Sequence, residues 1–282
     1  LYVYGGGRGS STFVNSNINV VIGDNVANHP TIGGSVYGGS AYGTVNAVNT
    51  SGPSNGNTNV TINNGVIQDS VFGGAQGRTT TTPYVLGNIT VNINNGSIGK
   101  VFGGFDASGK PSSGDVVYLN GGSIGNAFGG GNNADQDSTD IRLQGSTVTG
   151  NLYGGSNLLG TVTESHVTVT SGSVTDIYGG NNLDGSTVTT NVNVTGATIN
   201  GDIYGGGNEA PSTTSNVTIS GYTDSLQDVY GGGKKAGVTT TNVNIQNDTL
   251  HYVFGGSNIS GTVGSSHVHL TDSTVGNVYG IA

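Results

Sequence analysis

The sequence repeats one short motif along its length: an aliphatic residue, an aromatic residue and two glycines. It reads "VYGGG" at residue 3, "VFGGA" at 71 and "IYGGN" at 177. Successive aromatic residues are 33, 35 and 30 residues apart at first, and then 24 to 26 residues apart. A repeat of this length is typical of a solenoid, in which each repeat stacks on the next. The aromatic residues of the motif are Tyr4, Tyr37, Phe72, Phe102, Phe128, Tyr153, Tyr178, Tyr204, Tyr230, Phe254 and Tyr279.

A second pattern recurs within each repeat, an apolar-polar-apolar triplet such as Val60 to Ile62, Val167 to Val169 and Val243 to Ile245. Such alternation predicts a strand that is buried on one face. Turn sequences such as "NNG" at 63 and "SG" at 171 follow, and glycine adopts positive φ at little cost. Short strands of this kind cannot bury a face within one repeat. The pattern therefore predicts an all-β fold, a single-stranded parallel β-helix (β-solenoid) of about ten coils with about 25 residues per coil.

The repeats divide one solenoid domain, residues 1–282, into two parts. Coils with longer loops occupy residues 1–101, and regular coils occupy 102–282. The extra residues lie in polar loops that begin at 23, 41 and 75. Insertions in solenoids form loops, so these segments are either protruding, partner-specific surface or tolerated loop growth.

Stacking of identical positions predicts columns of side chains along the axis. The aliphatic residue of the motif is expected inside, and the glycines at a corner where φ is unusual or a Cβ would collide with the next coil. Seven of the eleven aromatic residues are Tyr, and a buried hydroxyl needs a partner, so an outward or corner-lining ring column is favoured over an inward stack. A column of asparagines is expected at the following turn. Its members are Asn132, Asn157, Asn182, Asn208 and Asn258, with Lys234 in the equivalent place between the last two.

Composition excludes several classes of function. Asp and Glu number 16 against 7 Lys and Arg, and the cations are scattered, so nucleic acid is not an expected partner. No apolar run is long enough to span a bilayer, and no membrane insertion is expected. Cysteine is absent, which excludes disulfides and thiol chemistry and is compatible with an oxidising exterior.

The most regular acidic feature is Asp176, Asp202 and Asp228, each just before the aliphatic-aromatic pair of three consecutive repeats. Stacked carboxylates repel one another, which would raise a pKa or recruit a hard cation such as Ca²⁺. The simpler interpretation is three solvated side chains. No pair of catalytic carboxylates and no nucleophile with its base is recognisable, so enzymatic activity is not expected.

The outward positions of the alternating strands carry many Thr and Asn residues, which raises the possibility of a flat ice-binding face. Tyr118, Arg142 and His269 interrupt that rank, so ice binding is a minor alternative.

The repeated aromatic-Gly-Gly motif with Asn, Ser and Thr turns resembles the β-helical stalks of bacterial cell-surface, adhesin-like proteins, including autotransporter passengers. The resemblance implies an extracellular or cell-surface, elongated protein. We therefore expect a structural or adhesive solenoid that forms a stalk or filament. Its expected partners are further coils of a longer chain, copies of itself joined end to end, or surface glycans. The alternative is a carbohydrate-binding or polysaccharide-degrading β-helix that uses the ring column and the three Asp residues.

Overall fold

The computed structural model describes residues 1–24, 29–45, 56–111, 114–222 and 226–280. These residues form strands, turns and irregular segments, with no helix among them. All registered strand pairs are parallel, and each strand pairs with its equivalent one repeat away. The predicted parallel β-solenoid is confirmed.

One set of strands carries the apolar-polar alternation. Val192 pairs with Val217, and Val217 pairs with Val243, so the same position of each coil lies above the last. The strands of this set are β3 (Ile18–Ile22), β7 (Thr58–Ile62), β10 (Ile89–Ile93), β13 (Asp115–Leu119), β15 (Gln136–Val148), β17 (Thr161–Val174), β19 (Ser186–Val194), β22 (Ser212–Ser220), β24 (Val238–Gln246) and β26 (Val263–Thr271).

The other main set leads to or ends at the aromatic residue of the motif. Both sets belong to one 23-stranded sheet, and we call them the two walls of each coil. The strands of this other set are β1 (Val3–Tyr4), β4 (Thr31–Ile32), β5 (Val36–Tyr37), β8 (Val66–Phe72), β11 (Ser97–Phe102), β14 (Ser123–Phe128), β16 (Leu152–Tyr153), β18 (Ile177–Tyr178), β20 (Thr198–Ile199), β21 (Ile203–Tyr204), β23 (Leu226–Tyr230), β25 (Thr249–Phe254) and β27 (Thr274–Tyr279).

The coils of the N-terminal part of the chain add a small second sheet. Four two-residue strands pair in parallel there: β2 (Phe13–Val14), β6 (Thr44–Val45), β9 (Tyr84–Val85) and β12 (Lys110–Pro111). Two of these strands, β6 and β9, lie in the predicted long loops that begin at 41 and 75. Much of the loops that begin at 23 and 41 lies outside the described residues, so their role as partner-specific surface stays a prediction.

The interior is aliphatic, as predicted. Val71, Val101 and Ile177 of the motif are fully buried together with the apolar residues of the alternating strands. The motif's first glycine marks a close approach between neighbouring coils. A Cβ on Gly73 would collide with the Gly103 carbonyl and with the side chains of Ile89 and Val91. Positive φ, the other reason considered for these glycines, does not occur at them.

Candidate functional site

The eleven aromatic residues form one continuous column of stacked rings, the ring column. All ten successive pairs are stacked, with ring centroids 4.6 to 5.1 Å apart and ring planes within 10° of parallel. The separation matches the spacing of parallel strands, because each coil contributes one ring. The predicted aromatic ladder is therefore present from Tyr4 to Tyr279.

The rings lie on the opposite side of their strands from the aliphatic interior and pack as a separate cluster. This agrees with the favoured corner position rather than with an inward stack. The rings are nevertheless buried, and Tyr178 and Tyr204 are fully so. The turn after the glycines covers them: Lys234 Nζ lies 5.6 Å from the Tyr204 ring centroid, and Asn258 Nδ2 donates to the Tyr204 hydroxyl at 2.9 Å.

The side chains four residues after each aromatic form the turn column. Asn157 donates its amide to Asn132 at 2.9 Å, Asn182 donates to Asn157 at 2.8 Å, and Asn208 donates to Asn182 at 2.9 Å. The predicted asparagine ladder is confirmed for these four residues. Asn258 does not join it, because Lys234 occupies the position between, and Asn258 bonds to a ring hydroxyl instead.

The turn column extends further towards the N-terminus than the asparagines indicate. Gln76 and Asp106 occupy the same offset after Phe72 and Phe102. The Tyr4 hydroxyl donates to Gln76 Oε1 at 2.8 Å, and the Tyr37 hydroxyl donates to Asp106 Oδ2 at 3.0 Å. Asn132 continues the column by donating to Asp106 Oδ1 at 3.0 Å. The offset was visible in the sequence, but an asparagine-only pattern missed these members.

Asp176, Asp202 and Asp228 form the acid column, and each is paired with the tyrosine two residues later. The hydroxyls of Tyr178 and Tyr204 donate to Asp176 and Asp202 at 3.0 Å, and the third pair is 3.3 Å apart. Asp176 Oδ1 also accepts the backbone N–H of Asp202 at 3.0 Å, and Asp202 Oδ1 accepts that of Asp228 at 3.3 Å.

All three acids stand two residues before a tyrosine of the ring column, and the other four tyrosines have Tyr2, Ser35, Asn151 and Asn277 at that position. The residues two positions before the phenylalanines of the ring column are Ser70, Lys100, Asn126 and Tyr252, and none is acidic. A carboxylate is an acceptor that satisfies a buried phenol hydroxyl, and phenylalanine makes no such demand. The three acids therefore have a structural role that sequence analysis did not assign to them.

The electrostatics of the acid column follow from burial and stacking. Burial raises the pKa of Asp202, and the carboxylates of Asp228 and Asp176 on neighbouring coils raise it further. Lys234 Nζ lies 3.3 Å from Asp176 Oδ2, and the His251 ring nitrogen Nδ1 lies 2.8 Å from Asp228 Oδ1. The outer two carboxylates thus each have a basic neighbour.

The chain as described holds no group of three or more His, Cys, Asp or Glu side chains arranged to bind a metal ion. Calcium binding by Asp176, Asp202 and Asp228 stays an untested prediction.

A further column, which sequence analysis did not recognise, lies inside the solenoid. Buried Ser and Thr hydroxyls, two residues before the alternating triplet, donate to the carbonyl of the motif's first glycine in the same coil. We call it the hydroxyl column. Its bonds include Thr58 to Gly73 at 2.8 Å, Thr139 to Gly154 at 2.6 Å, Ser165 to Gly179 at 2.6 Å, Thr190 to Gly205 at 2.5 Å and Thr241 to Gly255 at 2.7 Å.

The outer face of the alternating strands has the register that was expected. Tyr118, Arg142 and Thr168 lie in one column. Arg142 forms an ion pair with Asp140 at 2.6 Å, and its guanidinium lies 5.3 Å from the Tyr118 ring centroid. This charged and aromatic patch interrupts the neutral Thr and Asn rank, as the sequence indicated.

The fold and its columns define the class of the protein as a parallel β-solenoid. Searches against protein-family models, curated proteins and solved structures find no match to this chain. Within the described ranges, no helix has the length and apolar character needed to cross a bilayer.

Proposed function

We propose that this protein is an extracellular structural or adhesive rod whose coils continue along one axis to form a stalk or filament. The observation that carries this proposal is the unbroken run of stacked rings over ten coil-to-coil steps. Side-chain contacts in the described chain reach one or two coils along the axis, so length is added without changing the local structure. About ten coils at the spacing of parallel strands span about 50 Å.

Under this proposal the next coil would pack on the last described one. Leu270, Val278 and Tyr279 extend the apolar and ring columns, and they are 36%, 46% and 47% exposed. Within the described part of the chain, β26 pairs with β24 and β27 pairs with β25, each on one side. An open strand edge beside exposed apolar side chains favours the addition of another coil. The proposed partners are further coils of a longer chain or a second copy of this chain.

The proposed extracellular location and adhesive role rest on composition and on the sequence pattern. The sequence contains no cysteine and few charged residues, which is compatible with a secreted protein, and its pattern resembles bacterial surface stalks. Adhesion through the long-loop coils or through surface glycans is part of the same proposal.

Electron microscopy and sedimentation of the purified chain over a range of concentrations test axial assembly. We expect rods of one chain length at low concentration and multiples of that length at high concentration. Val278→Lys places a charge on the exposed end of the apolar column and should prevent the longer rods. Thr168→Lys, on the outer face of a middle coil, is the matched control and should leave them unchanged. Monodisperse short rods at every concentration would contradict self-assembly.

The carbohydrate alternative has less support, because the rings that would stack on sugars are buried and the three carboxylates accept tyrosine hydroxyls. A glycan array distinguishes the two. Binding that is lost in both Tyr178→Ala and Asp202→Asn, while both variants stay folded, would favour this alternative over the structural role.

A further inference from the structure

In one coil, the position of the hydroxyl column is occupied by an acid, Asp115, instead of Ser or Thr. The register aligns Asp115 with Ile89 on one side and Thr139 on the other, and Thr139 aligns with Ser165. Asp115 begins β13, and its side chain lies on the same face as the buried Val117. It is 1% exposed, so this carboxyl group lies inside the solenoid.

The hydroxyl residues at this position from Thr58 to Thr241 share one function, whereas Ser266 has no partner in the described chain. Thr139, Ser165 and Thr241 each donate a hydroxyl proton to the first glycine of their own coil. In the coil of Asp115 the equivalent glycine is Gly129, which follows Phe128. An ionised carboxylate has no proton to donate, whereas an un-ionised carboxyl group carries one O–H donor. Only the protonated form of Asp115 can take the place of the hydroxyl.

The surroundings of Asp115 provide no countercharge. Within the described residues, neither of its carboxyl oxygens has a hydrogen-bond partner, and it takes part in no ion pair. The amide atoms of Gln136, which is 3% exposed, are also unpartnered. Asp115 Oδ2 and Gln136 Nε2 are both among the three atoms nearest to the place that a Cβ on Gly104 would occupy. The absent side chain of this glycine thus leaves a small polar space in the interior.

The strands packed against β13 do not neutralise a negative charge there. β10 carries no titratable residue, and the titratable residues of β15 are Asp137, Asp140 and Arg142. Arg142 is engaged by Asp140, and Asp137 is a second carboxyl group close enough to disfavour a charge on Asp115. Lys100 on β11 and Lys110 on β12 are exposed. An isolated buried carboxylate is far more costly than a neutral acid.

We propose that Asp115 is a proton-binding site inside the solenoid: it keeps its proton at neutral pH, donates it to the Gly129 carbonyl in place of the missing hydroxyl, and loosens this coil when the proton is lost. Burial raises the pKa of Asp115 well above its usual value, with a further rise from Asp137, which agrees with the geometry. The solenoid would then be most stable in acid and would open first at this coil in alkali.

The sign of the effect follows from linkage. The pKa of Asp115 is higher in the folded chain than in the unfolded chain, where it is about 3.9. Its contribution to stability is therefore complete below that value and is lost as pH rises towards the folded pKa. Over this interval the folding equilibrium constant falls about tenfold per pH unit for this one proton.

Infrared difference spectroscopy at neutral pH tests the protonation directly. We expect the carbonyl stretch of an un-ionised carboxyl group in the native protein and its loss in Asp115→Thr, which restores a hydroxyl at this position. Asp137→Asn is the matched control and should keep the band. Absence of the band from the native protein, or its persistence in Asp115→Thr, would overturn the proposal. If the threonine variant does not fold, Asp115→Asn serves the same purpose with nearly the same shape.

Unfolding measured from pH 5 to pH 9 provides a second test. The native protein should lose stability relative to Asp115→Thr as pH rises, by up to tenfold in the equilibrium constant per unit. The competing state is an ionised Asp115 that holds a metal ion in the space beside Gly104. Unfolding in the presence of Na⁺, K⁺ or Ca²⁺ tests for this state. Stabilisation of the native protein by one of these cations, absent in Asp115→Asn, would overturn protonation in favour of that state.

Discussion

A tyrosine of the ring column places a hydroxyl where it needs hydrogen-bond partners, and neighbouring side chains provide them. Tyr204 donates to Asp202 and accepts from Asn258. Burial raises the pKa of Tyr204, so the phenol keeps its proton and remains a donor. Phe128 has no hydroxyl and needs no such partners. Tyr and Phe are thus not interchangeable in this column, although both stack.

We expect Tyr204→Phe to destabilise the chain by about 1–2 kcal/mol, because it leaves the Asp202 carboxylate and the Asn258 amide without their shared partner. Chemical denaturation measures the loss. Tyr84→Phe is the control, since Tyr84 is 40% exposed and a change there should cost little. Equal effects at the two positions would show that the hydroxyl bonds of Tyr204 contribute nothing specific.

Ala197, Asn247 and Asp272 are the non-glycine residues of the described chain with positive φ, and alanine tolerates that region less well than asparagine or aspartate does. Ala197 has φ of 99°, in a turn position where other coils have Gly172 or Gly96, with φ of 101° and 111°. The glycine of this turn, Gly196, would be expected to adopt that conformation, but it does not have positive φ. The chain traverses the turn one residue later than expected.

Ala197→Gly should therefore stabilise the chain by about 1 kcal/mol, because glycine adopts positive φ without a Cβ clash. Thermal or chemical unfolding checks this gain. Ala107→Gly, at an alanine without positive φ, is the control and should be neutral or slightly destabilising. A loss of stability at position 197 would contradict the strain argument.

At the scale of strands and turns, the aromatic-Gly-Gly motif is a corner at which neighbouring coils approach too closely for side chains. Gly103 illustrates this, since a Cβ there would collide with the Gly129 carbonyl and contact Val117. The hydroxyl column joins this corner to the alternating strand, as Thr139 bonds to Gly154. The two walls of each coil are therefore held together by a buried side-chain-to-backbone bond as well as by apolar packing.

Gly103→Ala should cost about 2 kcal/mol or more, because the neighbouring backbone has to move to admit the methyl group. Gly256→Ala, at the second glycine of the motif in the last described coil, is the control, since no atom of the described residues lies within 4 Å of the position that its Cβ would take. Denaturation curves of the two variants give the comparison. Similar stabilities would show that close approach is not the reason for the glycine.

At the scale of the whole molecule, the solenoid is nearly one-dimensional, because each coil interacts with the coils beside it. The most distant side-chain contacts along the axis cross two coils, as from Lys234 to Asp176. Stability in such a structure is approximately a sum of coil and interface terms. Coils should therefore be removable as units.

Deletion of residues 178–203 removes one full repeat and joins Ile177 directly to Tyr204. We expect a folded chain with an unchanged β-sheet circular dichroism signal per residue and a cooperative melt, because every column stays in register. Deletion of residues 178–190 removes about half a coil and shifts every later column, and it should abolish the cooperative melt. Unfolding of both variants would argue against independent coils.

Much of the architecture could be predicted because it depends on periodicity. The interval of 25 residues between Phe128 and Tyr153 is the length of one coil, and the alternation at Val167 to Val169 separates the interior from the outer face. The burial of the rings could not be predicted, because it depends on a turn side chain such as Lys234 that reaches Tyr178 two coils away. The hydroxyl column was also missed, since Ser and Thr occur throughout the sequence and only the path of the chain selects those beside a glycine carbonyl.

The sequence by itself determined the parallel solenoid, the ring column and the order of its members. The same short pattern recurs in every coil, and stacked coils place equivalent residues in one column. The tertiary structure alone decided which polar groups meet. Tyr204 with Asn258, Thr139 with Gly154, and Asp115 without a partner in the described chain depend on distances across the corner and the interior, and no periodicity records those distances.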